Sequence, residues 1–102
     1  MKSLKMFMTS NLQSQIDQAT TGDLLVMLSA LFEKQPYDMY IIEPDANRRL
    51  QIRLAGYNFM TDELDEETVI KRTDLKGNQV ILFKVDDYGD SYVGTLLLPE
   101  DY

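Results

Sequence analysis

The spacing of apolar residues changes period partway along the chain, and that change predicts the fold. Between Ser10 and Thr21 the chain is polar, yet Leu12, Ile16 and Ala19 recur at i, i+4 and i+7. That is the stripe of a short amphipathic helix, with Thr9 or Ser10 available as its cap. Thr20-Thr21-Gly22-Asp23 then predicts a break, with Thr21 capping a second helix over about Gly22 to Lys34 and Asp23 favourable at its positive end. This second helix carries Leu24, Leu25, Val26, Met27, Leu28, Ala30, Leu31 and Phe32, apolar almost all the way round. Such a distribution predicts burial on several sides. Gln35-Pro36 ends it, because a residue before proline avoids the helical region.

From Asp38 onward the period is two. Met39-Tyr40-Ile41-Ile42 predicts a strand, and Glu43-Pro44-Asp45-Ala46-Asn47 a turn. Arg49 to Leu54 alternates strictly and puts Leu50, Ile52 and Leu54 on one face. Thr68 to Arg72 predicts a weaker strand, closed by a turn near Lys76-Gly77-Asn78. Gln79 to Val85 predicts a central strand, and Asp87-Tyr88-Gly89-Asp90 turns it into Tyr92 to Leu98, the clearest hairpin in the chain. Helices grouped ahead of strands predict an α+β fold: two N-terminal helices packed on a roughly five-stranded antiparallel meander sheet with one wet face.

Composition narrows the chemistry. The 102 residues, 44% hydrophobic and 26% charged, fit one globular domain spanning 1–102. There are no cysteines and no histidines. Disulfides, thiolate zinc sites and Ser-His-Asp or Cys-His nucleophiles are therefore excluded. The five glycines start neither a GxGxxG nor a GxxxxGK pattern. No enzyme and no cofactor is expected. The start of the chain lacks a sustained apolar segment, and the longest apolar run, Leu24 to Leu28, is too short to span a bilayer. A cytoplasmic location with no membrane contact follows as an expectation.

Charge is the most informative property. The formal net charge is −7, and residues 54–102, with four basic and eleven acidic residues, carry all of it. Such a field disfavours direct binding to nucleic acid and favours a protein partner with a basic surface. The run Asp62-Glu63-Leu64-Asp65-Glu66-Glu67 is either a solvated loop, the first turn of a short helix capped by Thr61, or a contact surface for that partner. Its carboxylates are too hydrophilic a group to promise the desolvated acid that catalysis needs. Asp86, Asp87 and Asp90 form a second acidic group around Tyr88 and Gly89. The spacing fails the calcium-loop pattern, which wants an Asp or Asn where Tyr88 stands and a Glu where Leu97 stands. The candidate partner-binding residues are therefore Asp62, Glu63, Asp65, Glu66, Glu67, Asp86, Asp87 and Asp90, with no metal site.

Arg49, Gln51 and Arg53, with Arg48 beside them, share a strand face. No aromatic is interleaved for base stacking, so a solvated face is expected, or else internal pairing with the acidic run. The helix pair lacks the basic recognition element of a DNA-reading helix-turn-helix. No segment resembles a known family. Short acidic chains without catalytic motifs fit the type of immunity proteins, antitoxins and phage proteins that disable restriction or CRISPR nucleases. The leading expectation is a stoichiometric inhibitor whose acidic half occupies the nucleic-acid-binding surface of a target, in the limit as a DNA mimic. The alternative is an assembly module that oligomerises through its helices or a sheet edge.

Overall fold

The computed structural model describes residues 2–102, apart from the side chains of residues 66–68. Among the described residues six strands form one sheet, with the helices on one of its faces. The strands are β1 (Ser3–Met8), β2 (Tyr37–Pro44), β3 (Arg49–Asn58), β4 (Glu63–Lys76), β5 (Ile81–Asp87) and β6 (Ser91–Leu97). The helices are α1 (Ser10–Gln13) and α2 (Gln18–Lys34), and a 3-10 turn covers Pro99–Asp101. Helices and sheet are segregated, as an α+β reading requires, but three details differ from the expectation.

First, the sheet is mixed and not a five-stranded antiparallel meander. Its order is β1-β6-β5-β2-β3-β4, with β1 parallel to β6 and every other pair antiparallel. The segment before the helices is therefore a strand, whose partner lies at the far end of the sequence. Second, the helices begin elsewhere. Asp17, not Thr21, caps the long helix, its carboxylate accepting from the Thr20 backbone N–H at 2.7 Å and from the Thr20 hydroxyl at 3.0 Å. Gly22 sits inside α2, and the first helix shrinks to four residues capped by Thr9. Third, the acidic run is not the first turn of a helix, and only its first residue, Asp62, lies in a loop. It makes the β3–β4 turn and the first part of β4, which continues unbroken to Lys76.

The core follows from alternation. Tyr40 and Ile42 on β2 lie opposite Leu54 and Ile52 on β3 and Phe83 and Ile81 on β5. All six are buried, and Leu24, Leu28 and Phe32 of α2 cover them. β6 has Gly94 on the same face, where any side chain would collide with the Phe83 ring, 2.3 Å from the place of a Cβ. Burial at helical spacing is one-sided. Leu24, Leu28 and Phe32 are enclosed while Val26 is 73% exposed, so α2 is covered on one side only. No helix among the described residues is long and apolar enough to cross a membrane.

Gly56 interrupts the strict alternation of β3. It takes φ +86°, and the register with β4 shifts there, as does the register of β2 between Tyr37 and Met39. Asp38 fills the gap: its Oδ1 accepts the Tyr57 N–H at 2.9 Å and stands 2.1 Å from where a Gly56 Cβ would be. Bulges increase local twist, and here the β3–β4 hairpin curls over the core face. Phe59, just past β3, thereby reaches Phe32 of α2 and Tyr92 of β6, with ring centroids at 6.2 and 5.0 Å.

Two glycine substitutions should move stability in opposite directions. Gly56→Ala meets both an unfavourable backbone conformation and the Asp38 carboxylate, and should cost about 1–3 kcal/mol. Gly22→Ala has open space around the new methyl group and removes a flexible residue from a helix, so it should stabilise by about 0.5–1 kcal/mol. Urea unfolding of both variants checks the pair, and destabilisation by Gly22→Ala would contradict the helix assignment around that residue.

Candidate functional site

Antiparallel pairing decides where the carboxylates gather. Because β2 runs antiparallel to both β3 and β5, the end of β3, the start of β2 and the end of β5 lie at one end of the sheet. The β3–β4 turn and the β5–β6 turn therefore emerge side by side with the start of β2 between them. Two acidic groups some twenty residues apart in sequence share one end of the molecule. The Phe59–Tyr92 contact joins the two hairpins directly, and Phe32 packs edge-on against Tyr92 at 5.0 Å beneath them.

The predicted residues occupy this end in different ways. Asp62 is exposed in the β3–β4 turn with φ 62°, its N–H bonded to the Asn58 carbonyl at 2.9 Å. The Asn58 side chain shapes the same turn by accepting from the N–H groups of Met60 at 2.8 Å and Thr61 at 3.2 Å. Glu63 is exposed opposite Asn58 at the first position of β4. Asp65 is structural: it accepts the hydroxyl hydrogen of the buried Tyr37, with the Asn58 amide at 3.4 Å. That bond favours the protonated phenol and raises the Tyr37 pKa above 10.0. The side chains of Glu66 and Glu67 lie outside the described residues. Asp86 is exposed, 3.6 Å from the Lys84 ammonium. Asp87 accepts from Lys2 and, at 2.8 Å, from the Gly89 N–H, while Asp90 is exposed in the β5–β6 turn.

Two members of the site were missed by the sequence reading. Asp38 sits between the turns, supports the Gly56 bulge and lies 3.6 Å from Lys84. The signal available for it was a glycine interrupting an alternating strand, which marks a bulge or close approach. Lys2 pins the N-terminal strand here, its ammonium bonded to Asp87 and 4.5 Å above the Tyr92 ring. Nothing in the local sequence announces that contact, which spans nearly the whole chain.

Lys2 and Lys84 thus neutralise part of the acidic end, and among the described residues Asp62, Glu63 and Asp90 are exposed there outside those ion pairs. At the other end Arg48, Arg49 and Lys76 stand near Asp45 and Asp74, and Glu100 and Asp101 lie there too, bonded to Asn11. Among the described residues, the basic strand residues make no ion pair with the acidic run. Arg53 Nε lies 3.3 Å from Glu43 of the neighbouring β2, close enough for attraction but not aligned as a hydrogen bond. A groove of about 370 Å³ at that other end is lined by Gln15, Asp17, Thr20, Lys76 and Gln79 among others, and its one carboxylate already caps α2. Among the described residues, no three carboxylates converge closely enough to hold a metal ion. No protein-family model, curated protein or solved structure matches the chain.

The titration of this end is testable. The Lys2 ammonium, and next the Gly89 N–H, hold the Asp87 carboxyl below the ordinary 3.8. A carboxyl depressed in the folded state contributes stability above its unfolded pKa and loses it as pH falls through the folded value. The Lys2 pKa is raised above 10.5 by the same bond, so its contribution persists below 10.5 and disappears as pH rises through the folded value. Asp87→Asn should therefore flatten the stability loss below pH 3.8 and also the loss above pH 10.5. Both effects should shrink in high salt because the pair is partly exposed. Denaturation midpoints across the two pH limbs give the comparison, and an unchanged acid limb would mean that Lys2 and Asp87 do not pair in solution.

Proposed function

We propose that the protein is a non-catalytic, stoichiometric inhibitor that binds a protein partner through its acidic end. Its target is a nucleic-acid-binding protein, whose basic surface the carboxylates of the two turns would occupy in place of phosphates. The observation that carries this reading is the aromatic-braced juxtaposition of the two acidic turns. Charges on separate flexible loops would lose conformational entropy on binding, whereas turns held by Phe59, Tyr92 and Phe32 offer a preorganised surface. The charge distribution supports it further, since exposed acid at one end steers a basic partner toward that end. Interference with a nuclease, restriction or CRISPR effector, an immunity protein and an antitoxin are the types of role this binding serves.

The test uses the whole chain as bait against lysate of its native host, followed by reconstitution with any protein captured. Capture should be strong at low salt and weaken steeply toward physiological ionic strength. Replacing Asp62, Glu63 and Asp90 together by Asn or Gln should slow association about tenfold or more, an effect carried by on-rate. Urea midpoints should barely change, because these side chains are exposed. The captured protein should lose nucleic-acid binding when the inhibitor is added. Equal capture by wild type and triple variant, or a captured protein that still binds nucleic acid normally, would overturn the reading.

A further inference from the structure

The two edges of the sheet are built differently, and the difference points to a use for one of them. β4 closes one edge, its pairing with β3 broken by register shifts between Arg49 and Gln51 and between Leu54 and Gly56, and it carries Lys71 and Arg72 exposed between the two shifts. Bulges and charges of this kind are how proteins keep edges from pairing with other chains. β1 closes the other edge with no bulge in its pairing and a single charge. Its register with β6 is unbroken from Ser3 to Met8, and its one charged residue is Lys5.

The direction of the free peptide groups on β1 can be derived. The Thr9 N–H donates to the Leu96 carbonyl at 3.0 Å, so odd-numbered residues turn their peptide groups toward β6. Alternation then turns the N–H and C=O groups of Leu4, Met6 and Met8 to the open edge. The side chains of these three residues lie on the helix-covered face, half-buried. Met6 there forms a shallow trough with Leu25, Val26 and Ala30 of α2. Phe7 stands on the opposite, uncovered face and is 56% exposed. The edge therefore fits an extended strand with apolar alternate residues, and a second β1 has that pattern.

We propose that two copies of the chain join β1 to β1, antiparallel, about a two-fold axis through Met6. This inference is independent of the inhibitory reading. In this register Met6 faces Met6 and Leu4 faces Met8 in both directions, each pair exchanging both of its free peptide hydrogen bonds. Every outward-facing residue of β1 is then paired. Charge selects the same register. Centring the pair on Lys5 would oppose two ammonium groups, whereas centring it on Met6 sets Lys5 beside the partner's Phe7 ring, a favourable cation–π geometry. The large acidic field is also accommodated. β1 starts at the acidic end, where Lys2 bonds Asp87, so antiparallel joining points the two acidic ends in opposite directions. A single strand pair covers less than the roughly 800 Å² per partner of a standard interface, and the dimer is accordingly weak and concentration-dependent.

Because the chain has no cysteine, one introduced thiol reports the contact cleanly. Opposed Cα atoms in a hydrogen-bonded antiparallel pair stand about 5.5 Å apart, inside the range a disulfide spans. Met6→Cys should cross-link to a covalent dimer about tenfold or more faster than Val26→Cys, whose thiol at a more exposed site meets more readily by collision, because pairing raises the effective concentration. Sedimentation at rising protein concentration should show the wild type shifting from monomer to dimer. Phe7→Lys opposes Lys5 with a second ammonium group on an exposed position, and should remain folded and monomeric at concentrations where the wild type associates. Met6→Pro removes one outward N–H while sparing the ladder to β6, and should do the same. Phe7→Lys should retain any partner captured by the acidic end, which separates this proposal from the other. A wild type that stays monomeric at about 1 mM, where only contacts weaker than about 4 kcal/mol escape detection, would overturn it. So would a dimer indifferent to Phe7→Lys, or equal cross-linking rates for the two cysteine variants.

Discussion

The bulge at Gly56 is the constraint on which the arrangement of this molecule depends. With φ +86° at that residue and the Asp38 carboxylate lodged beneath it, β3 is kinked where a regular strand would run on straight. A straight hairpin would carry Phe59 past the end of the sheet. The curled one lays it against Phe32 and Tyr92, joining strands that are not neighbours in the hydrogen-bonded order. One interaction thus sets the shape of the core at that end and also the separation of the two acidic turns. Asp38 takes part in both. It bonds the bulge through one oxygen, while the other lies 3.6 Å from Lys84, which also lies beside Asp86. A carboxylate of this kind is held by geometry and is not free to serve a partner, as Asp65 is held by Tyr37.

That division between structural and available carboxylates is what charge counting misses. In sequence, Asp62, Glu63 and Asp65 are equivalent members of one acidic run. In the fold, Asp62 and Glu63 stand in solvent, whereas Asp65 accepts a hydrogen bond from a buried phenol. Likewise Asp87 is largely spent on Lys2, and Asp90 is not. The effective surface is smaller than the formal charge implies but better ordered, because its turns rest on aromatic packing and on an Asn58 side chain that accepts two backbone N–H groups.

Local signals in the sequence were reliable where local physics decides. The strict alternation of Leu50, Ile52 and Leu54, the turn after Pro44, the β5–β6 hairpin and the end of α2 before Pro36 all appear where the pattern places them. Longer-range pairing overrode local preference elsewhere. Glu and Asp are poor strand formers, yet the ladder to β3 holds Glu63 and Asp65 in β4, since strand propensity yields to pairing context. The strand at Leu4, Met6 and Met8 shows the right alternation, but its partner β6 lies some ninety residues away and no nearby turn marks it. Asp17 outcompeted Thr21 as a cap because its carboxylate takes both the backbone N–H and the hydroxyl of Thr20. Of the candidate site, the acidic residues were legible and their meeting was not. Only the β2–β5 pairing, which skips β3 and β4, brings the two turns to one end.

The same pairing explains why the molecule has one guarded edge and one unguarded one. Placing β2 at the centre leaves β4 outermost on one side, where the chain turns back toward β5, and leaves β1 outermost on the other. β4 is long and would template foreign strands if it were regular, so its bulges and its Lys71-Arg72 centre are costs accepted for solubility. The register shift at Gly56 also belongs to the curl that brings Phe59 to Phe32 and Tyr92, so part of the guarded edge and the braced acidic end share one distortion. β1 needs no curl, because its alternate residues Leu4, Met6 and Met8 already pack against the core, with Met6 beside Leu25 of α2. Its regularity is set by core packing, and an edge that packing keeps regular stays open to pairing. The apolar flank of α2 above it, with Val26 in solvent, borders an edge whose own strand carries one charge, Lys5.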